Sequence, residues 1–513
     1  MKQNAVFDGI VSIVRSAKGI VSDRGEESRP IVELDFADRA LLDSTLLPFQ
    51  QSEIVVSFPE GKRQQLVAVV EGYGNTALVV SEKGLLFVVT PGECAEGACM
   101  MPAGTLVRPD GSPLDDIYDM LAVPNGRERE FYVSYGEEDP DDNTKAFIVS
   151  RLAIPAEPDA DARYSLEDRI FESRRFTLDN GQARVSGGGA MVFDASDNAI
   201  LVTIGDFGLN GHANRFEGAT PPAQDPESDL GKIHSIDLAT GDNEILTIGH
   251  RNPQGLTRTA AGELISSEHG PKGGDEINLI VPGENYGWPE VSLGTLYEQY
   301  TFPSKPLDPS KVHGGYRAPL MAFVPSVGIG ALIEVQDLHE AWDGDLLVAT
   351  LKAQSLYRVR RWESGYYSEH IHAGDRIRDL EIVDGVLLLA TDSGKLILLT
   401  PIEDVESART STGLVANKTA LSKCGQCHNL TSARSTEFAP HLINVVSRPI
   451  ASLEDFDGYS DSLKGKGEMT WSMANLEQFL RDPSAFAPDG GMPAVELTEA
   501  QIKEILDLLS LLR

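Results

Sequence analysis

One pattern returns six times along the middle of this chain: a turn residue, then a short apolar or aromatic run. It stands at residues 84–89 (Gly-Leu-Leu-Phe-Val-Val), 198–203 (Asn-Ala-Ile-Leu-Val-Thr), 262–267 (Gly-Glu-Leu-Ile-Ser-Ser), 344–349 (Gly-Asp-Leu-Leu-Val-Ala) and 385–390 (Gly-Val-Leu-Leu-Leu-Ala), and less cleanly at 130–135 (Glu-Phe-Tyr-Val-Ser-Tyr). Short β-rich runs bounded by Gly, Asp and Asn, with few helical periodicities between them, indicate an all-β repeat architecture. Six copies over roughly 330 residues give about 50 residues per unit, the size of a propeller blade. The expected fold is mainly β, a six-bladed β-propeller over residues 71–402; a pair of irregular β-sandwiches is the alternative. Uneven spacing places insertions in the loops of one face, where propellers build sites. Residues 1–70 hold four further strand-like runs, including 10–14 and 54–58, and predict a small amino-terminal β extension. Residues 403–418, rich in Ser, Thr, Glu and Ala, read as a linker.

A second feature is Cys424-Gly425-Gln426-Cys427-His428. Two thiols one helical turn apart, followed at once by an imidazole, form the attachment signature of a c-type haem: each thiol bonds a vinyl group and the histidine reaches the iron. A zinc half-site or a redox dithiol is the plainer reading of Cys-x-x-Cys. Zinc needs two further ligands at suitable spacing, and the remaining cysteines, Cys94 and Cys99, lie over 300 residues upstream. Downstream come Pro440, Tyr459, Trp471 and Met492-Pro493, then an amphipathic run at 497–509 with Thr498 as cap and Glu499 in its first turn. With these features residues 419–513 resemble class I cytochrome c, an all-α domain. The resemblance implies His428 as proximal and Met492 as distal iron ligand, a pairing that raises the haem potential. Met469 and Met473, either side of Trp471, are rival sulfurs.

At 513 residues the chain exceeds one ordinary domain. Its 41% hydrophobic and 24% charged content reads as soluble and globular, and no stretch approaches the roughly 18 consecutive apolar residues of a membrane helix. A net charge of -34 argues against nucleic acid or an anionic membrane surface as partner. Cys94 and Cys99 either close a small disulfide loop or remain two thiols. Haem attachment of this type follows export, so a periplasmic or otherwise exported location is expected. Residues 1–9 carry no apolar export core, and the expectation is that a leader was removed or that the start lies downstream of the true one.

Between the repeats lie loops rich in Arg, His, Asn and Gly: residues 249–256 (Gly-His-Arg-Asn-Pro-Gln-Gly-Leu), 267–278 (Ser-Glu-His-Gly-Pro-Lys-Gly-Gly-Asp-Glu-Ile-Asn) and 285–289 (Asn-Tyr-Gly-Trp-Pro). Such loops are poor core and good ligand-binding material. Lys352 ends a strand, and Arg376 and Arg378 flank Ile377 so that alternation points both guanidinium groups one way. Converging cations in so acidic a chain imply a polyanionic ligand; separate surface ion pairs are the alternative. These segments resemble the soluble quinoprotein glucose/sorbosone dehydrogenases, also called aldose sugar dehydrogenases, from about residue 73 to 402 and most strongly from Gly249 to Pro289. That family consists of six-bladed propellers that bind pyrroloquinoline quinone, a planar tricarboxylate, with calcium. The resemblance implies that Lys352, Arg376 and Arg378 hold the quinone carboxylates while Arg251 and Asn252 hold its reactive carbonyl side. It implies that the carbonyls of Gly270 and Pro271 ligate Ca2+, a hard ion taking oxygen donors. Asp206 matches the acidic residue orienting the catalytic base, and Asp392 a further acidic residue of the site.

The base itself departs from the pattern. The family has His-x-Gly-Gly or His-x-Gly-Ser before an apolar strand; here the run is Ser186-Gly187-Gly188-Gly189, and serine unaided cannot accept an alcohol proton near neutral pH. His212, in the loop after Asp206 that lines the family's substrate pocket, is the relocated candidate; an exposed loop histidine is the alternative. The expectation is oxidation of an aldose or other alcohol in the propeller, with electrons passing through haem c to an external acceptor (a cytochrome, copper protein or quinone pool). The alternative is a ligand-binding propeller without turnover, its cytochrome relaying for a partner. A hydrolytic propeller would want several carboxylate ligands around its metal, and that set is not found.

Overall fold

A computed structural model of the chain describes residues 31–509 apart from 43, 45, 59–62, 95–98, 115, 126–127, 178–185, 211–219, 296–311, 363–364, 403–422, 425–426, 431–433, 437–438, 493–494 and 496. His212, the run at 10–14 and the linker at 403–418 therefore lie outside the described residues.

The repeats are hairpins. At five of them the turn residue takes a left-handed backbone: Gly84 (φ 82°), Asn198 (50°), Gly262 (81°), Gly344 (81°) and Gly385 (71°), the conformation a tight antiparallel turn requires. The strands that follow, such as Ala199–Ile204, Leu346–Thr350 and Val386–Thr391, are buried along their whole length. A neighbouring blade covers each face, so their sequences are unbroken apolar runs rather than alternating ones.

Among the described residues the strands form six sheets, and the six-bladed propeller is the fold. The innermost strands are Leu66–Glu71, Ile117–Asn125, Gly188–Asp194, Pro253–Arg258, Ile329–Glu334 and Ile377–Val383. Each packs on the next and the last packs on the first, closing a ring. The apolar core is correspondingly divided into clusters between adjacent blades: Val80 against Phe131 between the first and second, Val348 against Ile265 between the fifth and fourth. Five of the six repeats mark the second strand of a blade. In the first blade the repeat marks the third strand, Leu85–Val89; the second, Ala77–Ser81, is set off from its left-handed Gly74 by two polar residues.

The amino-terminal β extension is continuous with the sixth blade. Phe49–Ser57 pairs antiparallel with Lys395–Pro401, Phe49 opposite Pro401 and Val55 opposite Lys395, and Ile31–Leu42 adds outside it. The extension's end, expected at residue 70, falls inside Leu66–Glu71 of the first blade. Weaving one blade from both ends of the chain turns two free sheet edges into paired ones and locks the ring. Cys94 and Cys99 form a disulfide.

The carboxy-terminal region is helical: Asp461–Lys464, Met473–Arg481, Pro483–Phe486 and Glu499–Leu509. Ser472 caps the second of these, accepting from Asn475 N at 3.2 Å. Thr498 and Gln501 cap the last reciprocally, side chain to backbone, at 3.0 and 3.3 Å. No described helix is long and apolar enough to cross a membrane.

Candidate functional site

All six inner strands run in one direction, so the loops that feed them converge on one mouth of the ring. A cavity of about 1200 Å³ follows the axis from that mouth. Its wall brings together Arg251, Asn252, Gly270, Pro271, Lys352, Arg376 and Arg378, with Ser186 beside them. Asp206 and Asp392 stand behind the wall. Asp392 accepts from Nε of Arg376 at 2.5 Å and from Nε of Arg378, holding the two forks side by side. Four cations thus line one side of the mouth, which fits an anionic ligand.

Asp206 is fully buried and accepts from Gly208 N at 2.7 Å, Asn210 Nδ2 at 3.0 Å and Trp288 Nε1 at 2.8 Å. Burial pushes its carboxyl up, and the Arg251 guanidinium opposes that shift. Trp288 in turn lies under Arg251, 5.4 Å from ring centre to guanidinium carbon. Arg251 donates to His269 O at 3.2 Å, while its buried Nε has no hydrogen-bond partner among the described residues. Asn252 Oδ1 accepts from Gly188 N at 3.1 Å, tying the Ser186 loop to the arginine loop. That loop is tight: a Cβ at Gly205 would lie 1.9 Å from Ser186 O.

Several residues that carry this arrangement were not singled out from the sequence. Glu268 accepts from His250 Nδ1 at 2.9 Å and from Arg251 N. Asp275, fully buried, accepts from Gly270 N, Ser326 Oγ and the backbone amides of Val327, Gly328 and Ile329 at 2.7–3.1 Å. It fixes the Gly270–Pro271 turn to the loop that leads into the fifth blade. The signal was present: an acidic pair directly after Gly273-Gly274, at the start of a strand, has no surface reason to be there. Among the described residues the cavity wall holds one imidazole, His269, with Nε2 3.1 Å from Gln254 Oε1. Burial, reinforced by Arg251 and Arg378, pushes it down to about 4 against the nearby Asp275, which makes it a weak base.

Deeper in the cavity carboxyl groups take the place of the cations. Asp119, Asp379 and Glu381 line it below the cations. Asp379 Oδ2 accepts from Val69 N and Asp119 Oδ2 from Met191 N, both at 2.8 Å. Surrounding protein desolvates all three: Asp119 is pushed well up, with Asp379 adding to the shift, Asp379 to about 7 and Glu381 to about 8. Unfolded, Asp379 and Glu381 titrate near 3.8 and 4.5, so the folded state keeps protons that the unfolded state has lost. The stability this lends is complete at acid pH and is lost as pH rises through about 7 and 8. The melting temperature of the propeller is expected to fall over that rise. The double variant Asp379→Asn, Glu381→Gln should show a flatter profile in calorimetry.

In the helical region Cys427 N and His428 N donate to Cys424 O at 3.2 and 2.9 Å, so the motif forms a turn with both thiols free. His428 Nδ1 lies 2.6 Å from Pro440 O. A carbonyl only accepts, so Nδ1 carries the proton and Nε2 is left for a metal. Burial also pushes the imidazole below its ordinary range, keeping it neutral. Cys424 and Met492 pack against one apolar cluster that includes Leu430, Trp471 and Ile502. Met469 and Met473, 42% and 38% exposed, stay outside it. The residues present therefore fit a thioether-bound haem, which Cys424, Cys427, His428 and Met492 would hold.

The glucose/sorbosone dehydrogenase family matches residues 73–399. The chain is 43% identical over 130 residues to quinoprotein glucose dehydrogenase B of Acinetobacter calcoaceticus, covering 20% of this chain and 27% of that one. It is 29% identical over 237 residues to aldose sugar dehydrogenase YliI of Escherichia coli, covering 42% and 60%. To a cytochrome c homolog of Rickettsia prowazekii it is 35% identical over 91 residues, covering 18% and 50%. It thus spans less than two thirds of each of these relatives. The solved apo-form of the Escherichia coli soluble aldose sugar dehydrogenase shares the propeller fold, with a TM-score of 0.53 and 22% identity over 73% of this chain and 100% of that one. The family match takes in well over half of the sequence, from just after the innermost strand of the first blade to the last strand of the sixth. The chain belongs to the glucose/sorbosone dehydrogenase family, and part of it outside the propeller is similar to the cytochrome c homolog.

Proposed function

We propose that this chain oxidises an aldose sugar or another alcohol at a quinone held in the mouth of the propeller, and passes the electrons through its own haem c to an external acceptor. The observation that carries this reading is the convergence of Arg251, Lys352, Arg376 and Arg378 on one cavity wall with Asp392 as their local counter-charge. Pyrroloquinoline quinone supplies a two-electron acceptor when bound, and the haem a one-electron relay. Arg376, Arg378 and Lys352 bind its carboxylates, the forked groups fixing orientation as well as charge. Arg251 and Asn252 donate to its carbonyl side, and Asp206 braces Arg251 through Trp288. The carbonyls of Gly270 and Pro271 accept no backbone hydrogen bond among the described residues, and they would hold Ca2+ with water and ligand oxygens completing its shell. Tethering the two redox sites on one chain replaces a diffusive encounter with a high effective concentration. Export, to the periplasm or an equivalent compartment, follows from the haem attachment chemistry.

The proton acceptor is the open step. Ser186 cannot serve, and His269 is held too acidic to be an effective base; His212 is our candidate. A second reading, a quinone- or ligand-binding propeller without turnover, is favoured by the same serine. The test is to load the full chain with haem, quinone and calcium, add a panel of aldoses and alcohols, and follow the visible haem bands. Reduction by at least one substrate is expected, and loss of it in His212→Gln. Quinone binding with a silent haem across the panel would support the second reading, and unchanged turnover in His212→Gln would remove that residue from the mechanism.

A further inference from the structure

Oxidation of an alcohol to a carbonyl breaks one C–H and one O–H bond and releases two electrons and two protons. On the reading above the electrons leave singly, reducing the ferric haem twice with reoxidation by the external acceptor between. Iron takes no proton, so two protons per turnover must leave the quinone site by another path. We propose that they leave through the axis of the propeller, relayed by Asp119, Asp379 and Glu381 to the mouth opposite the quinone site. This inference rests on the quinone-dependent reading.

The geometry runs in depth order. One continuous cavity joins the Arg251–Asn252 end to Glu71 and Arg129. Each inner strand starts at the cation-lined mouth, so depth follows position along the strand. Asp119 and Asp379 are the third residues of theirs, Glu381 the fifth and Glu71 the last. Asp379 and Glu381, two apart on one strand, share its cavity face. Glu71 Oε1 pairs with Arg129 at 2.7 Å and its side chain is 49% exposed, so the series ends in solvent. The charged groups acting on Asp379 and Glu381 are Asp119 and Arg129 from the second blade and Glu71 from the first. The third, fourth and fifth blades face them with Met191, Leu256 and Leu332, which are apolar. A proton moving toward the loop mouth meets four cations; moving the other way it meets the three carboxyl groups before the Glu71–Arg129 pair at the far end. Asp379 and Glu381 titrate at about 7 and 8, so near neutral pH each of these two both accepts and gives up a proton readily. Asp379 and Asp119 each accept one amide from a neighbouring blade, and among the described residues none of the three pairs with Arg129, whose partner is Glu71.

The first measurement needs no quinone. Infrared difference spectra of the full chain, taken across a pH titration, should lose a protonated-carboxyl band as pH passes about 7 and 8. Asp379→Asn and Glu381→Gln should each remove one component. The second supplies the quinone already reduced, with calcium and ferric haem present, and follows haem reduction together with a bulk pH indicator in stopped flow. Each variant is expected to slow the appearance of protons by at least about tenfold, to slow haem reduction with it, and to leave quinone affinity unchanged. A small weak acid such as formate should restore the rate, which a merely structural defect would not allow. Equal proton release in wild type and both variants would overturn the proposal, as would the absence of any carboxyl titrating near neutrality. A wild type whose haem is not reduced by the supplied quinone would refute the dehydrogenase reading, leave the infrared titration intact, and remove the cargo of the route and so the proposal.

Discussion

Replacing both Arg376 and Arg378 by Ala is expected to weaken quinone binding by about 10²–10⁴-fold. A hydrogen bond to a charged group contributes about 1.5–3 kcal/mol, and each 1.4 kcal/mol is a factor of ten in affinity; the double variant removes one such contact from each arm. A further penalty comes from Asp392. Its two oxygens accept from both guanidinium groups, so with the arginines gone an unpaired carboxylate faces the quinone's own. Lysine at both positions should fall between, because it keeps the charge and loses the planar fork. The readout is quenching of tryptophan fluorescence as quinone is titrated into the calcium-loaded chain, with Trp288 already next to Arg251 in the mouth. A loss of less than about threefold in the Ala double variant would mean that the quinone is held elsewhere.

The fold was legible in the sequence wherever structure is local. A left-handed Gly or Asn followed by an apolar run marks a hairpin whose second strand is covered on both faces, and four times, at Asn198, Gly262, Gly344 and Gly385, it stands in register with the blades. Two features are not legible there, one because its partners lie far apart in sequence and one because its turn is set back from its strand. The pairing of Phe49–Ser57 with Lys395–Pro401 joins segments some 340 residues apart, and nothing in either strand names the other. In the first blade, polar Asn75 and Thr76 separate the turn glycine from its strand, so the repeat was read one strand late. The site divided in the same way. Cations and the haem motif stand out in a chain of net charge -34, because their chemistry is conspicuous in any fold. Asp275, Glu268 and the axial carboxylates Asp119, Asp379 and Glu381 carry no such mark: among 78 Asp and Glu residues, only the folded ring shows which are drawn out of water. Ser186 shows the converse case, where the sequence flagged a missing base and the described part of the cavity wall supplies only His269, held near 4.

Asp275→Ala is expected to be the most damaging single change outside the apolar core, costing about 3–5 kcal/mol of stability. The carboxylate accepts hydrogen bonds from four backbone amides and one hydroxyl, with no exposure to solvent. Each donor left without an acceptor in such a place costs about 1–3 kcal/mol, and water entering the vacated space recovers part of the total. The corresponding fall in melting temperature is about 6–15 °C. Asp275→Asn should cost less, because its amide oxygen can still serve the three consecutive amides of Val327, Gly328 and Ile329 while its NH2 confronts Gly270 N. The order of the two variants separates a hydrogen-bond hub from a simple space-filler, for which the isosteric Asn would be silent. The same side chain links stability to function. It anchors the turn whose carbonyls would ligate calcium on the proposed function and the loop that enters the fifth blade, so both variants should also lose any stabilisation that added calcium and quinone give the wild type. Scanning calorimetry with and without those ligands reads both effects at once. A variant that melts as the wild type does, or that keeps its full ligand-induced shift, would show that the Gly270–Pro271 turn is held by something other than Asp275.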